Sequence, residues 1–411
     1  MATVAIQQRS FPVGRFVART LAVVLALWIL VALSVSRGDL ATYWAFGIAF
    51  GVILQRSRLC FASAFRDLFL MRDGGNLRAI LTGLAVASLG FALIQARAVP
   101  TPTAGALPDQ AHLMPVSAQF IVGGLLFGVG MVLAGGCVSG TMYRIGEGYV
   151  GSMVAMVGIL AGLVVATQHW NWWWQTFSAQ APTVWLPGLF GYGGAILATL
   201  VLLGIFYLAS LWWELRAGPR PSFLPKRAAE VPPSSVSEWL TQRYRALFGR
   251  GWPFVVGVVA LAVLDVFVYL FDHPLGVTGE LSNWANRAAA LGGLAAPTLL
   301  GASNLAGCLL VFDPNASPVS TGTMLDGGLI VGSFIAALYA NEFKLRVPRQ
   351  PVRYVQSVGG GVLMGYGAGI AAGCTIGAFF SAIPSLGLNG WIFGLALFVG
   401  AGLGVQIIKR L

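Results

Sequence analysis

The sequence predicts an all-α polytopic membrane protein made of inverted-topology internal repeats, each with a broken or re-entrant Gly-Cys helix. Three observations lead there. Of the 411 residues, 57% are hydrophobic and only 9% charged, against about 25% charged in a soluble domain. The apolar residues gather in runs of about 20, the length a helix needs to cross the hydrocarbon layer. One stretch also occurs twice: GGLLFGVGMVLAGGCVSG from Gly123 to Gly140 and GGVLMGYGAGIAAGCTIG from Gly360 to Gly377. A shift of 237 residues superposes the copies without a gap, with 9 of 18 positions identical, including Cys137 with Cys374 and Gly136 with Gly373. Such self-similarity marks a duplicated chain.

Taken in order, Arg9, Arg15 and Arg19 lead into an apolar run from Phe16 to Val35. No small-residue cleavage pattern follows closely, so this reads as a retained first helix with a cytoplasmic start. A second run, Tyr43 to Leu54, gives way to QRSRLCFASAFRDLFLMRDGG, an arginine-rich segment whose apolar spacing suits a partly inserted helix. The run Ala79 to Ala96 leads to a Pro-rich loop without Lys or Arg after Arg97, which assigns it to the outside. The first Gly-Cys unit therefore enters from outside. A helix of Val150 to Thr167 follows, then a segment with Trp170, Trp172, Trp173, Trp174 and Trp185, placed at the outer headgroup level.

The run Gly188 to Trp213 returns to the cytoplasm and closes a first half, residues 1–213. Residues 214–250 form a basic cytoplasmic linker, and residues 251–411 a second half that opens with Trp252 to Phe271. Between Asp272 and Tyr339 the chain must cross an odd number of times. It offers the runs Ala288 to Phe312 and Gly322 to Tyr339, of which PTLLGASNLAGC has the composition of a re-entrant segment. Lys344, Arg346, Arg349 and Arg353 precede the second Gly-Cys unit, which therefore enters from inside, opposite to the first. That inversion is a transporter design with its site near the midplane. The last helix, Leu388 to Ile408, ends in Lys409 and Arg410, so both termini are expected in the cytoplasm. The total comes to ten to twelve hydrophobic segments.

The net charge of +11 reads as positive-inside bias rather than nucleic-acid binding. Four cysteines and three histidines (His112, His169, His273) show neither CxxC nor Cys/His spacing, so no metal and no redox dithiol is indicated. No phosphate-binding GxxxxGK[ST] loop is present, and neither an ATPase nor any other enzyme is indicated. No cofactor is expected. Glycines 124 and 128, and 361, 365 and 369, have the spacing of close helix contacts. Close packing does not explain why both units end Gly-Cys before Ser139 and Thr141, or before Thr375. An interrupted helix leaves backbone groups open, which membrane depth tolerates only within protein or around a polar cavity. A lone buried cysteine is ordinarily a small hydrophobe; two at matched positions of an inverted repeat point instead to a soft sulfur or selenium substrate. Cys60, near Arg56, Arg58 and Arg66, reads either as a thiol on an anion-drawing lip or as a core thiol with snorkelling arginines. Cys308 is expected to be structural. Asp265 and Glu214 are the intramembrane or membrane-edge acids, candidates for proton handling or ion pairing.

RSRLCFASAFRDLF, the GGC and AGC units and GVTGELSNWANR resemble the YeeE/YedE family of sulfur-transport membrane proteins, over both halves of the chain. The resemblance implies thiosulfate import across the bacterial inner membrane, through a path along which cysteines pass the ion by S–H···S hydrogen bonds. Carried over, Cys60, Cys137 and Cys374 are the path cysteines, flanked by Gly136, Gly373, Ser139, Thr375, Arg58 and Arg66. The partners implied are a small sulfur-containing anion and the lipid bilayer, with no nucleic acid. Alternatives are a selenium-compound permease, a membrane persulfide carrier, or an anchor for a cytoplasmic sulfurtransferase-type partner held through the linker.

Overall fold

A computed structural model describes residues 12–103, 106–108, 110–216, 251–302, 317 and 319–410. The first half comprises α1 (Pro12–Ser36), α2 (Gly38–Ser57), α3 (Phe61–Met71), α4 (Gly75–Ala98), α5 (Ala118–Ala134), α6 (Val138–Gly146), α7 (Val150–Trp173) and α8 (Leu186–Leu215). The second comprises α9 (Phe254–Phe271), α10 (Thr278–Leu291), α11 (Thr321–Tyr339), α12 (Pro351–Ile370), a π-helical turn at Thr375–Ser381, and α13 (Leu388–Arg410). Among the described residues, nine helices are long and apolar enough to cross a membrane, or ten if the pair formed by α12 and the π-turn, bent by 48°, is one span. The protein is an all-α, multi-pass membrane protein.

The helices pack as the repeat requires. The main contacts join α2 with α11, α4 with α9, α5 with α13, and α7 with α12. Exchange of the halves turns the first contact into the second and the third into the fourth. On the axis itself α5 meets α12 antiparallel. A Cβ on Gly123 would lie 2.8 Å from the Gly367 carbonyl oxygen, and one on Gly130 would lie 2.6 Å from that of Gly360. The shift of 237 converts the first of these contacts into the second. The Gly-Cys units therefore enter from opposite ends.

The spaced glycines act as the sequence reading expects. Gly124 and Gly128 seat α5 on α13, while Gly361 and Gly365 seat α12 on α7. At Gly365 a Cβ would stand 2.1 Å from the Ile159 carbonyl oxygen, whereas Gly359 has nothing within 4 Å. Backbone cannot yield as a flexible side chain can, so Gly365→Leu is expected to cost at least about 3 kcal/mol. Gly359→Ala should be neutral or gain up to about 1 kcal/mol from helix propensity. Thermal denaturation of the two purified variants in detergent checks the contrast.

Two loops close opposite ends. The α4–α5 loop folds over the end where the tryptophans lie: His112 N–H donates to Ser385 Oγ (3.2 Å) and Val116 N–H to the Pro182 carbonyl (2.9 Å). The α11–α12 loop covers the basic end, with Arg346 N–H on the Gly148 carbonyl (2.9 Å) and Val150 N–H on that of Arg346 (3.1 Å).

One sequence expectation changes. Helix α10, most of it in GVTGELSNWANR, starts beside the second Gly-Cys unit and runs toward the tryptophan end, where Asn286 Nδ2 donates to Thr167 Oγ1 (2.9 Å); the second half of PTLLGASNLAGC, residues 303–308, lies outside the described residues. The run Ala288 to Phe312 is not a span over its described part, since α10 ends at Leu291. The tryptophan segment is largely helical, since α7 continues to Trp173. Trp170 and Trp185 are buried, donating to the Leu300 carbonyl (3.0 Å) and to Gln95 Oε1 (3.3 Å), while Trp172 stays exposed. Cys308 and most of the linker, residues 217–250, lie outside the described residues.

Candidate functional site

Each of the three described cysteines is the N-cap of a short helix, reached through a left-handed residue that stops the preceding helix. Gly135 (φ 78°) ends α5 and Cys137 caps α6; Ala372 (φ 50°) follows α12 and Cys374 caps the π-turn; Arg58 (φ 51°) ends α2 and Cys60 caps α3. N-caps normally offer an oxygen to the open N–H groups of the first turn. Here sulfur does so: Cys137 Sγ accepts from Gly140 N–H and Cys374 Sγ from Ile376 N–H, both at 3.4 Å. The repeat supplies a fourth N-cap at Val277, before α10, with no thiol.

These termini converge on the contact between the halves. The Cys60 and Cys137 thiols lie within hydrogen-bonding reach of each other. A Cβ on Gly140 would come 2.9 Å from Cys60 Sγ and 3.2 Å from Cys137 Sγ, so the missing side chain is what admits both sulfurs. Cys137 also reaches Ser139 Oγ (3.5 Å) and the Thr375 hydroxyl, and Cys374 reaches the Thr278 hydroxyl. From the tryptophan end toward the basic end the order is Thr278, Cys374, Thr375, Cys137, Cys60, all buried. Gly136 and Gly373 hold the breaks tight: a Cβ there would stand 3.2 Å from Arg144 Nη1 and 2.8 Å from Ala378 N, respectively.

The cation beside the thiols is Arg144, two turns beyond Cys137 on α6. Its guanidinium donates to the Gly135 carbonyl, lies 5.9 Å from the Tyr143 ring centre, and acts electrostatically on both Cys60 and Cys137. The arginines singled out from sequence pair elsewhere. Arg58, 70% exposed, sits 2.8 Å from Glu342, and Arg66 sits 2.9 Å from Asp67. Under the repeat shift Arg144 corresponds to Ser381, whose hydroxyl is 3.0 Å from Asp265 Oδ2 and from the Leu275 carbonyl; Leu275 N–H donates to Asp265 Oδ1 at 2.8 Å. Asp265 thus ties α9 to the π-turn. Glu214 is likewise engaged, by Arg78 at 2.7 Å.

Polar groups close both sides of the thiol line. At the basic end Gln55 Nε2 donates to Glu147 Oε1 (3.1 Å) and Glu342 Oε2 (2.7 Å). Burial raises the Glu147 carboxyl above its ordinary range, against the hydrogen bond from Gln55 and the charge of Arg346. At the other end Gln95 Nε2 donates to the Ser385 carbonyl (3.1 Å), and His112 is held down to about 4 by burial and by His273. An apolar crevice of about 150 Å³ between α3, α4, α8 and α13, lined by Phe65, Leu81, Phe206 and Trp391 among others, contains no cysteine.

Sequence reasoning passed over Arg144, Thr278 and Asp326. Arg144 and Asp326 carried a usable signal, a lone charge inside or at the end of an apolar run. Thr278 carried none, because hydroxyls are common in such helices.

The chain is similar to known transporters. The thiosulfate transporter TsuA of Escherichia coli is 32% identical over 353 residues, 84% of this chain and 88% of that protein. TsuA of Spirochaeta thermophila is 30% identical over 370 residues, 86% and 94% of the two chains. A probable transporter, YedE of Salmonella typhimurium, is 33% identical over 187 residues, 44% and 43% of the two. The profile of the family described as Sulphur transport matches residues 56–403, and the chain belongs to that family.

Proposed function

We propose that this protein imports thiosulfate, or a closely similar sulfur anion, across the bacterial inner membrane through the cysteine-lined contact between its halves. The observation that carries the reading is the line of three buried N-cap thiols with Arg144 beside Cys60 and Cys137. A thiol is a weak, polarisable donor, suited to the soft terminal sulfur of thiosulfate, and a largely buried guanidinium supplies attraction for the anion. The thiols hand the ion along without covalent change, so the protein is a carrier rather than an enzyme. The basic end faces the cytoplasm by the positive-inside rule. On this reading both termini lie there, together with the linker, which offers a docking segment for a sulfurtransferase-type partner. That both TsuA relatives are thiosulfate transporters supports the choice of substrate.

Uptake of labelled thiosulfate by cells lacking other importers tests the reading. Wild-type uptake, with selenium compounds competing weakly, is the expected result. Transport of selenium compounds alone would replace thiosulfate as cargo. A stable persulfide on Cys60, found by mass spectrometry without uptake, would make the protein a sulfur carrier.

A further inference from the structure

Asp326 lies in the second turn of α11, near Cys374 and Thr278, and nothing in the proposed relay uses it. It is fully buried, and neither carboxylate oxygen meets a hydrogen-bond donor among the described residues. The Thr278 hydroxyl, on the Cys374 thiol, is also buried, with no oxygen or nitrogen partner among them. Its charged neighbour is Glu280 of α10, and it acts electrostatically on Cys374. The two acids differ in their partners. Glu280 accepts from Ser320 Oγ and Thr323 Oγ1, both at 2.7 Å. Among the described residues Asp326 has no such donor and no ion-pair partner.

The other elements packed on α11 direct their titratable groups away. On α2, Tyr43 donates to Asp272, Arg56 meets Glu342, and Asp39 is exposed. On α6, Arg144 meets Gly135, beside Tyr143; on α1, Arg19 meets Leu338 and Asn341. A bare carboxylate in such a place is very costly, and a carboxyl there takes up a proton instead.

We propose that Asp326 is a proton-binding site that must be occupied for an anion to reach Cys374, so that proton and sulfur anion enter together. The inference rests on the import reading above. The electrostatics give the direction: an ionised Asp326 would repel a dianion arriving at Cys374 from the outer side, and a protonated one offers it a hydrogen bond. Release of anion and proton to the inside then resets the site.

The test uses the purified full chain in liposomes, with thiosulfate as the probe and the voltage clamped by potassium and valinomycin. With one proton per anion, an inward gradient of one pH unit should raise the accumulation ratio about tenfold, and an internal pH dye should register proton entry with each pulse of thiosulfate. In Asp326→Asn the gradient should no longer drive accumulation, and the remaining exchange should be flat with pH. Asp326→Glu should restore the response, which separates coupling from misfolding. A wild-type response that persists in Asp326→Asn, or uptake that follows sodium and ignores pH, would overturn the inference. Absence of any wild-type uptake would sink the import reading. An infrared band of a protonated carboxyl at neutral pH, lost in Asp326→Asn, is still required in that case, and its absence would overturn the assignment of the proton.

Discussion

Cys137→Ala is expected to lower thiosulfate uptake by about ten- to a hundredfold at equal membrane level. Cys137 is the middle of the line: its sulfur meets the Cys60 thiol on one side and the Thr375 hydroxyl on the other, and accepts Gly140 N–H. Alanine removes all three interactions and leaves buried donors unmatched. An unmatched buried group costs about 1–3 kcal/mol, and each 1.4 kcal/mol is about a tenfold change in rate or affinity. The loss falls on the barrier between neighbouring sites, so maximal rate should drop more than apparent affinity. Cys137→Ser keeps a donor and an acceptor but shortens the reach and removes the soft sulfur; a residual rate between wild type and alanine is expected. Cys374→Ala should behave like Cys137→Ala. Unchanged uptake in both alanine variants would make these cysteines packing residues.

Arg144→Met should reduce uptake by about a hundredfold, the largest effect expected of any charge in the protein. The guanidinium is held by the Gly135 carbonyl and by Tyr143, and its charge bears on the Cys60 and Cys137 pair. A hydrogen bond to a charged group contributes about 1.5–3 kcal/mol, and the upper end applies where water is excluded. Methionine preserves volume but no charge. Arg144→Lys keeps the charge, loses the planar fork, and should recover part of the activity. Concentration dependence of uptake measures the effect as weaker apparent affinity. Arg58→Ala, at a 70% exposed side chain paired with Glu342, should stay within a few-fold of wild type. Equal effects at the two positions would remove Arg144 from its special place.

The contrast between these arginines shows which parts of the site were legible in the sequence. Cys137 and Cys374 announced themselves through repetition, and the alternating charge of the loops disclosed the inversion. The close helix contacts were written in the glycine spacing. Arg144 stayed hidden because its importance depends on a helix that restarts at Cys137 and brings α6 back toward Cys60, a contact between residues far apart in sequence. Arg58 and Arg66 looked better placed because they are near Cys60 along the chain, yet both find carboxylates of their own. Helix α10 escaped hydropathy because its buried face carries Thr278, Ser282, Asn283 and Asn286; Asn286 donates to Ser282 and Thr167, and Asn283 accepts from Arg287, inside protein rather than facing lipid. The partners of the Trp170 and Trp185 ring N–H groups within the fold could not be read from sequence, because they come from residues far along the chain.

The exchange of partners between the halves governs how the molecule is made. Helices α2, α4, α5 and α7 reach the bilayer during synthesis before α9, α11, α12 and α13, which they pack against, exist. Until then the glycine faces of Gly47, Gly51, Gly124 and Gly128 have only lipid to meet. The first half therefore waits as a loose set of inserted helices, exposed to quality-control proteases, and the thiol line comes into being only when the last helices arrive. Two fragments cut within the linker should accordingly assemble when produced together, while either one alone should be degraded.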